Sequence, residues 1–316
     1  MRLLVTGSSG HLGEALVRVM RGEGHEVVGL DRLASAWTDV VGSIAEVDVV
    51  RRAVEGCEAV VHAATLHKPH VATHAKQAFV DTNVTGTLVL LEAAVRAGVG
   101  CFVFTSTTSA FGRALSAPRG EPASWIDERV VPVPRNIYGA TKCAAEDLCE
   151  LVHREHGLPC VVLRTSRFFP EEDDDPQKRE AFASENLKAN EFLYRRVELD
   201  DAVRAHLLAI ERAREIGFAK YIVSATTPFA RDDAAALGRD AASVIRGSFP
   251  DVDAIYRERG WTLPATLDRV YDNTAARRDL GWTPRFDFRH VLDRLRDGMD
   301  VLGPLAATVG AKGYHR

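Results

Sequence analysis

Apolar and polar positions alternate along the first half of the chain in two rhythms. Short runs rich in β-branched residues read as strands over 3–6, 26–30, 59–62, 101–105 and 160–164. Between them apolar residues recur every three or four positions, which predicts helices over 12–21, 45–55, 75–97 and 137–156. In the third of these, Val80, Val84, Leu88, Leu91 and Val95 recur at helical spacing, and the fourth stops at Gly157, a residue suited to a helix C-terminus. Strands alternating with helices of this length predict βαβ units, hence an α/β fold built on a doubly wound parallel sheet. Past Thr165 the rhythm breaks. The run Glu171-Glu172-Asp173-Asp174-Asp175-Pro176 reads as a solvated loop, followed by helices over 200–211, 234–245 and 288–296 and a strand over 221–224. Residues 1–165 are therefore read as the sheet domain. Residues 166–316 are read mainly as a smaller C-terminal α/β substrate lobe, with some segments returning to the sheet and 306–316 as a loosely held tail.

Composition narrows the function. Forty basic and 44 acidic side chains leave a net charge of −4, with no global electrostatic reason to bind nucleic acid or an anionic membrane. The apolar stretches 88–91 and 93–95 are interrupted before the roughly 18 residues of a membrane span. The N-terminus is too weakly apolar for a signal peptide. Five cysteines (Cys57, Cys101, Cys143, Cys149, Cys160) form an odd set without a CxxC pair, which argues against disulfides and zinc and for a reduced, cytoplasmic protein. No metal site is expected: the acidic run repels itself, and no cysteine or carboxylate joins His62, His67, His70 and His74.

Directly after the first strand stands Thr6-Gly7-Ser8-Ser9-Gly10-His11-Leu12-Gly13. Glycines at a strand-to-helix turn let bare backbone approach a pyrophosphate, whose charge then meets the N–H groups of the following helix. Asp31 closes the second strand, where a carboxylate can accept hydrogen bonds from adenosine ribose hydroxyls and repel a 2′-phosphate. This favours NAD over NADP, although Arg32 could partly compensate for a phosphate, and Asp31 also suits a turn or cap. Tyr138 and Lys142, four apart at the start of a predicted helix, share one face. A phenol is a poor base at neutral pH, but an adjacent ammonium and an oxidised nicotinamide both favour the phenolate, so Tyr138 could move a proton to or from a substrate oxygen during hydride transfer. The hydroxyl row at 105–109 ends a strand where ligands bind in such sheets.

With these residues in place, the sequence resembles the extended short-chain dehydrogenase/reductases, the NAD-dependent epimerase/dehydratase family. The resemblance runs through 6–13, Asp31, 60–64, 83–87, 105–112, 138–142 and 163–164, and more weakly through 197–209 and 273–284. It implies a Rossmann-type domain in which Gly7, Gly10, His11, Leu12 and Gly13 hold the pyrophosphate, Asp31 and Arg32 the ribose, and Ser43 and Ile44 the adenine. Ala63, Ala64, Leu66, Asn83 and Thr105 would line the nicotinamide half, with Thr165 beside the cofactor. Thr107 falls at the catalytic Ser/Thr position, Tyr138 at the acid/base and Lys142 at its partner. Departures narrow the reaction. Thr108 and Ser109 replace the Asp-Glu pair of the dehydratases, which disfavours dehydration. Arg167 replaces the usual Asn, Phe169-Pro170 the usual Gly-Pro, and Tyr194 an arginine, with Arg195 and Arg196 just after it.

His67, Thr107, Thr108, Arg167, Asn186 and Arg195 are the candidate substrate contacts. His62 reads as a buried structural histidine. Arg167 suits a phosphate or carboxylate, or a salt bridge to the acidic run. The expected function is hydride transfer at a secondary alcohol or ketone of a sugar-like small molecule, with a nucleotide-sugar epimerase favoured. A dehydrogenase or reductase of a non-nucleotide sugar or other small carbonyl compound is the alternative, and a non-catalytic NAD-binding protein is disfavoured. Relatives of this kind pair through the helices at 75–97 and 137–156, which implies a homodimer.

Overall fold

The computed structural model describes residues 1–313 apart from Arg119 and Asp174, so the last three residues of the predicted tail and one residue of the acidic run lie outside the described residues. Seven parallel strands form the main sheet: β1 (Arg2–Thr6), β2 (Glu26–Asp31), β3 (Val40–Val41), β4 (Ala59–His62), β5 (Cys101–Thr107), β7 (Cys160–Thr165) and β8 (Phe218–Val223). A short separate pair, β6 (Ser124–Ile126) and β9 (Arg269–Tyr271), joins the two parts of the chain in the lobe. The order in the main sheet is β3-β2-β1-β4-β5-β7-β8, so the winding reverses between β1 and β4, and the crevice at that switch point is where doubly wound sheets bind ligands.

Side chains on the strands alternate between two apolar layers. Leu3, Val5, Val61 and Val103 pack against the helices His11–Gly22 and Leu199–Ile216. Leu4, Val60, Phe102 and Phe104 pack against the helices Val47–Val54, Gly86–Arg96 and Ile137–His156. Strands covered on both faces lose the polar alternation of a half-exposed sheet, which is why they read as continuous apolar runs. A third core, around Phe192, Leu237, Tyr256 and Phe288, belongs to the lobe. The helix Leu199–Ile216 and strand β8 return to the sheet.

Two local expectations need correction. The predicted helix at 75–97 consists of Lys76–Phe79, a wider π-helical turn over Val80–Thr85, and Gly86–Arg96. The widened turn carries Asn83, whose amide bonds the Leu66 backbone at N and O, both at 2.9 Å, and Thr141 Oγ1 at 3.0 Å. By length and composition the stretch Lys76–Arg96 is apolar enough to cross a membrane, contrary to the sequence reading, but Phe79, Leu90, Leu91 and Ala94 are wholly buried within the fold. The second correction concerns the tail. Pro304–Val309 is a helix whose Ala306 and Val309 sit in the first apolar layer, and Lys312 bonds back to residues of the first helix and of the loop after β7.

One buried carboxylate makes stability depend on pH. Glu198 Oε1 accepts the Gly303 N–H at 3.0 Å, and burial pushes this acid up to about 7 against the pull of Arg196. Because its pKa is raised on folding from 4.5, its contribution is fully present below about 4.5 and is lost as pH rises through about 7. The swing is on the order of 3 kcal/mol. Glu198→Gln should therefore flatten the thermal midpoint between pH 5 and 8, on the order of a few degrees. A variant whose midpoint varies with pH as the parent does would contradict this.

Candidate active site

The crevice begins where β1 ends. Gly7 has φ +75°, and a Cβ there would lie 2.7 Å from Ala64 N; a Cβ on Gly13 would lie 1.8 Å from Gly7 O. The turn is closed by Gly10 N–H to Gly7 O at 2.9 Å and by Gly7 N–H to Leu30 O at 2.8 Å. Asp31 ties the same loop to β2, accepting Ser9 N–H at 3.0 Å and Leu33 N–H at 2.9 Å while still lining the cleft. Gly7, Gly10, His11, Leu12 and Gly13 line a cleft of about 640 Å³, a size suited to a small-molecule ligand. Arg32, Ser43 and Ile44 continue the same wall, and Ala63, Ala64, Leu66, Thr105 and Thr165 line its inner part. His11 Nε2 lies 3.3 Å from the Glu171 carboxylate, and burial holds the imidazole down at about 4, hence neutral at pH 7.

The reacting groups come from β5 and the helix beside it. A three-residue 3-10 turn follows β5, with Thr107 Oγ1 accepting Ser109 N–H at 3.0 Å. Tyr138 stands in the first turn of Ile137–His156, a helix started by Asn136, whose side chain accepts Gly139 N–H at 3.1 Å. The Tyr138 and Thr107 side chains both line the cleft. Burial pushes the Tyr138 phenol up to about 12, with Thr107 pulling the other way. Lys142 is one turn further. Its ammonium donates to Thr105 O at 2.6 Å, sits 3.9 Å from the Phe104 ring centroid and is brought down to about 7 by burial, against the pull of Glu146. Lys142 thus turns to the strand carbonyl, one turn along the helix from the raised phenol.

Lys142 and Asn83 lie just behind the cleft wall rather than in it; the Asn83 amide fastens Leu66, a lining residue, to the catalytic helix through Thr141. Asn186 is the one candidate the structure removes from the site. Its amide both donates to Thr262 O and accepts Thr262 N–H, each at 3.0 Å, so it joins two lobe segments. His67, Thr108, Arg167 and Arg195 do line the cleft. His67 is stacked on Phe169 with ring centroids 5.4 Å apart. Arg167 donates to the backbone of the acidic run, Glu171 O at 3.1 Å and Glu172 O at 2.7 Å, with the Asp173 and Glu191 carboxylates each 3.8 Å away. Arg195 reaches Asp173 at 3.0 Å and Glu191; Arg196 bonds Glu191 at 2.9 Å. These arginines hold the buried Glu191 carboxyl below its usual range and Asp173 down at about 2. His62 is structural as expected, bonded to Thr6 at 2.8 Å and Thr87 at 3.0 Å.

Phe168, Tyr271 and Lys312 also line the cleft and went unnoticed in the sequence. Tyr271 directly precedes the recognisable Asp272-Asn273-Thr274 segment, whereas nothing near Lys312 marks it.

Comparison with known proteins agrees with this geometry. The model of the NAD dependent epimerase/dehydratase family matches residues 3–223. A dTDP-glucose 4,6-dehydratase of Streptomyces antibioticus is 30% identical over 333 residues, 94% of this chain and 92% of that enzyme. One from Streptomyces niveus is 36% identical over 191 residues, 54% of this chain and 55% of that enzyme, so the chain spans only about half of its length. A UDP-glucose 4-epimerase of Rhizobium meliloti is 31% identical over 171 residues, 51% of this chain and 50% of that enzyme. In fold the chain is similar to an NAD-bound short-chain dehydrogenase/reductase superfamily protein of Agrobacterium tumefaciens, with a TM-score of 0.67 at 22% identity over 94% of this chain and 98% of that one. With the family model matched over residues 3–223 and a relative 30% identical over 94% of the chain, this protein belongs to the NAD-dependent epimerase/dehydratase family.

Proposed function

We propose that the chain is an epimerase of a nucleotide-linked sugar, oxidising a secondary alcohol and returning the hydride to the opposite face of the same carbon. The observation that carries this reading is that Thr107 and Tyr138 line the same cleft that the glycine cradle opens, the Thr107 hydroxyl pulling the buried phenol's pKa down. The residues fit NAD: the positions of Gly7 and Gly13 leave no space for a side chain, and a carboxylate, Asp31, stands at the wall. When bound, NAD supplies the acceptor and donor of one hydride. Thr107 and Tyr138 would hold the reacting oxygen between their hydroxyls, and Tyr138 would take its proton on oxidation and return it on reduction. Burial keeps the phenol protonated, so Tyr138 stands ready to donate; accepting a proton requires positive charge beside it.

Thr108 and Ser109 line the cleft where the dehydratases carry two carboxylates, and hydroxyls at those positions support epimerisation over loss of water. Curated relatives include enzymes of both kinds, so this choice rests on these two side chains. A second reading, a dehydrogenase or reductase of a non-nucleotide sugar or other small carbonyl compound, is favoured by the far end of the cleft. There Arg167 is held by backbone carbonyls of the acidic run, leaving altered means of gripping a nucleotide carrier. The presence of both Tyr138 and Lys142 speaks against a protein that binds NAD without turnover.

Incubation with NAD and a panel of nucleotide sugars, free sugars and sugar acids, with NADH absorbance, chromatography and product mass followed together, tests the choice. The expected result is a stereoisomer of one nucleotide sugar with no net NADH. Accumulating NADH would replace the reading with a dehydrogenase, and a product lighter by one water would replace it with a dehydratase.

A further inference from the structure

Near its last described residues the chain comes back to the cleft, where Lys312 joins the lining. The helix Pro304–Val309 is anchored beside the glycine-loop helix through Ala306 and Val309, and Gly310, with φ +65°, turns the chain toward the cradle. Two contacts follow at Lys312: its N–H donates to Glu171 Oε1 at 2.9 Å, and its ammonium pairs with the Glu14 carboxylate. His11 and Glu14 belong to the first turn of the helix that follows the cradle; Glu171, whose carboxylate lies 3.3 Å from His11 Nε2, belongs to the loop after β7. The segment therefore stitches that helix and that loop together where Lys312 lines the opening.

The charges give the stitch a consequence. Glu14 and Glu171 are both shielded, with side chains 7% and 9% exposed, and a dinucleotide would bring a doubly anionic pyrophosphate to the same helix N-terminus. Arg18 takes one oxygen of Glu14 at 2.7 Å, and Lys312 takes the other. The Lys312 cation thus joins Arg18 in balancing the Glu14 carboxylate at a rim that an anion must pass.

We propose that Lys312 completes a wall of the dinucleotide site, its ammonium fastened to Glu14 and its backbone N–H to Glu171, and that dinucleotide exchange requires this fastening to part. The proposal rests on the dinucleotide reading of the cleft and deepens the epimerase reading, because a hydride returned to the same carbon needs a cofactor that stays through the cycle. Lys312 acts here as a positioning residue.

The test is the rate of NADH release, followed by stopped-flow fluorescence with excess NAD as the trap, in the full chain, in Lys312→Met, in Lys312→Arg and in a chain stopped after Gly310. The expected result is release about tenfold faster in Lys312→Met and at least as fast in the shortened chain, with Lys312→Arg close to the parent. Thermal midpoints stay within about two degrees, because the helix Pro304–Val309 is retained in all of them. Release unchanged in both Lys312→Met and the shortened chain overturns the proposal while leaving the dinucleotide reading standing. Failure of the unaltered chain to bind NADH at all overturns both.

Discussion

Tyr138→Phe should lower turnover by about a thousandfold while leaving the affinity for NAD within about twofold of the parent. Positioned proton transfer contributes roughly 10²–10⁴ in rate, and Tyr138 is the acid/base candidate that lines the cleft together with Thr107. The substitution keeps the ring, which packs with Leu66 and Phe79, so the wall of the cleft stays filled. Thr107 keeps its bond from Ser109 N–H and stays in place. Steady-state rates on the substrate identified by the product panel, together with a fluorescence titration of the cofactor, separate the two effects. A variant that retains more than about a tenth of the parental rate would remove Tyr138 from the proton path. A loss of NAD affinity matching the loss of rate would make its role structural.

Gly13→Ala should weaken NAD binding by more than a hundredfold and destabilise the fold. The added Cβ would stand 1.8 Å from Gly7 O, 2.5 Å from Gly7 C and 2.9 Å from Ser8 Cα, all of them backbone or Cα atoms that no rotamer change can move. Relief requires the helix to shift away from the loop, and overpacking of this kind costs about 1–3 kcal/mol or more. The shift displaces the same N–H groups that would meet the pyrophosphate, so binding suffers more than stability. Gly22→Ala, in the same helix, is the control. Nothing lies within 4 Å of its new Cβ, and the change should be neutral or stabilising by up to about 1 kcal/mol. Equal NAD affinities for Gly13→Ala and Gly22→Ala would show that the close approach at Gly13 does not matter for the cradle.

Much of this architecture was legible before the coordinates. The apolar runs 59–62 and 160–164 read as strands because both faces of the sheet are covered, and the helix at 137–156 matched to the residue because Asn136 and Gly157 cap it. Tyr138 and Lys142 share a helix face for the same local reason. The function of that pair was only half legible: a spacing of four says that two side chains are neighbours, but not that Lys142 turns to Thr105 O on β5 while Tyr138 turns to Thr107. Asn186 misled because a polar residue in the lobe reads the same whether it meets a ligand or, as here, the backbone of Thr262. The π-helical turn at 80–85 leaves no mark on the apolar period, since Val80 and Val84 keep helical spacing; what goes with it is the bonding of Asn83 to Leu66 and Thr141.

What the sequence determined by itself is everything whose cause lies within a few residues: the parallel strands, the helices and their caps, the glycine turn with its following helix, and the acidic end of β2. These depend on backbone sterics and on periodicity, which a chain carries in its order. What only the tertiary structure decided is which groups meet across long separations. Lys312 comes to Glu14, Arg167 turns to the backbone of the acidic run, and the arginines of 195–196 enclose Glu191. Such partners are selected by the packing of whole layers, by the cost of leaving a buried charge unpaired and by the space that remains at the switch point, and none of these has a period or a spacing in the chain.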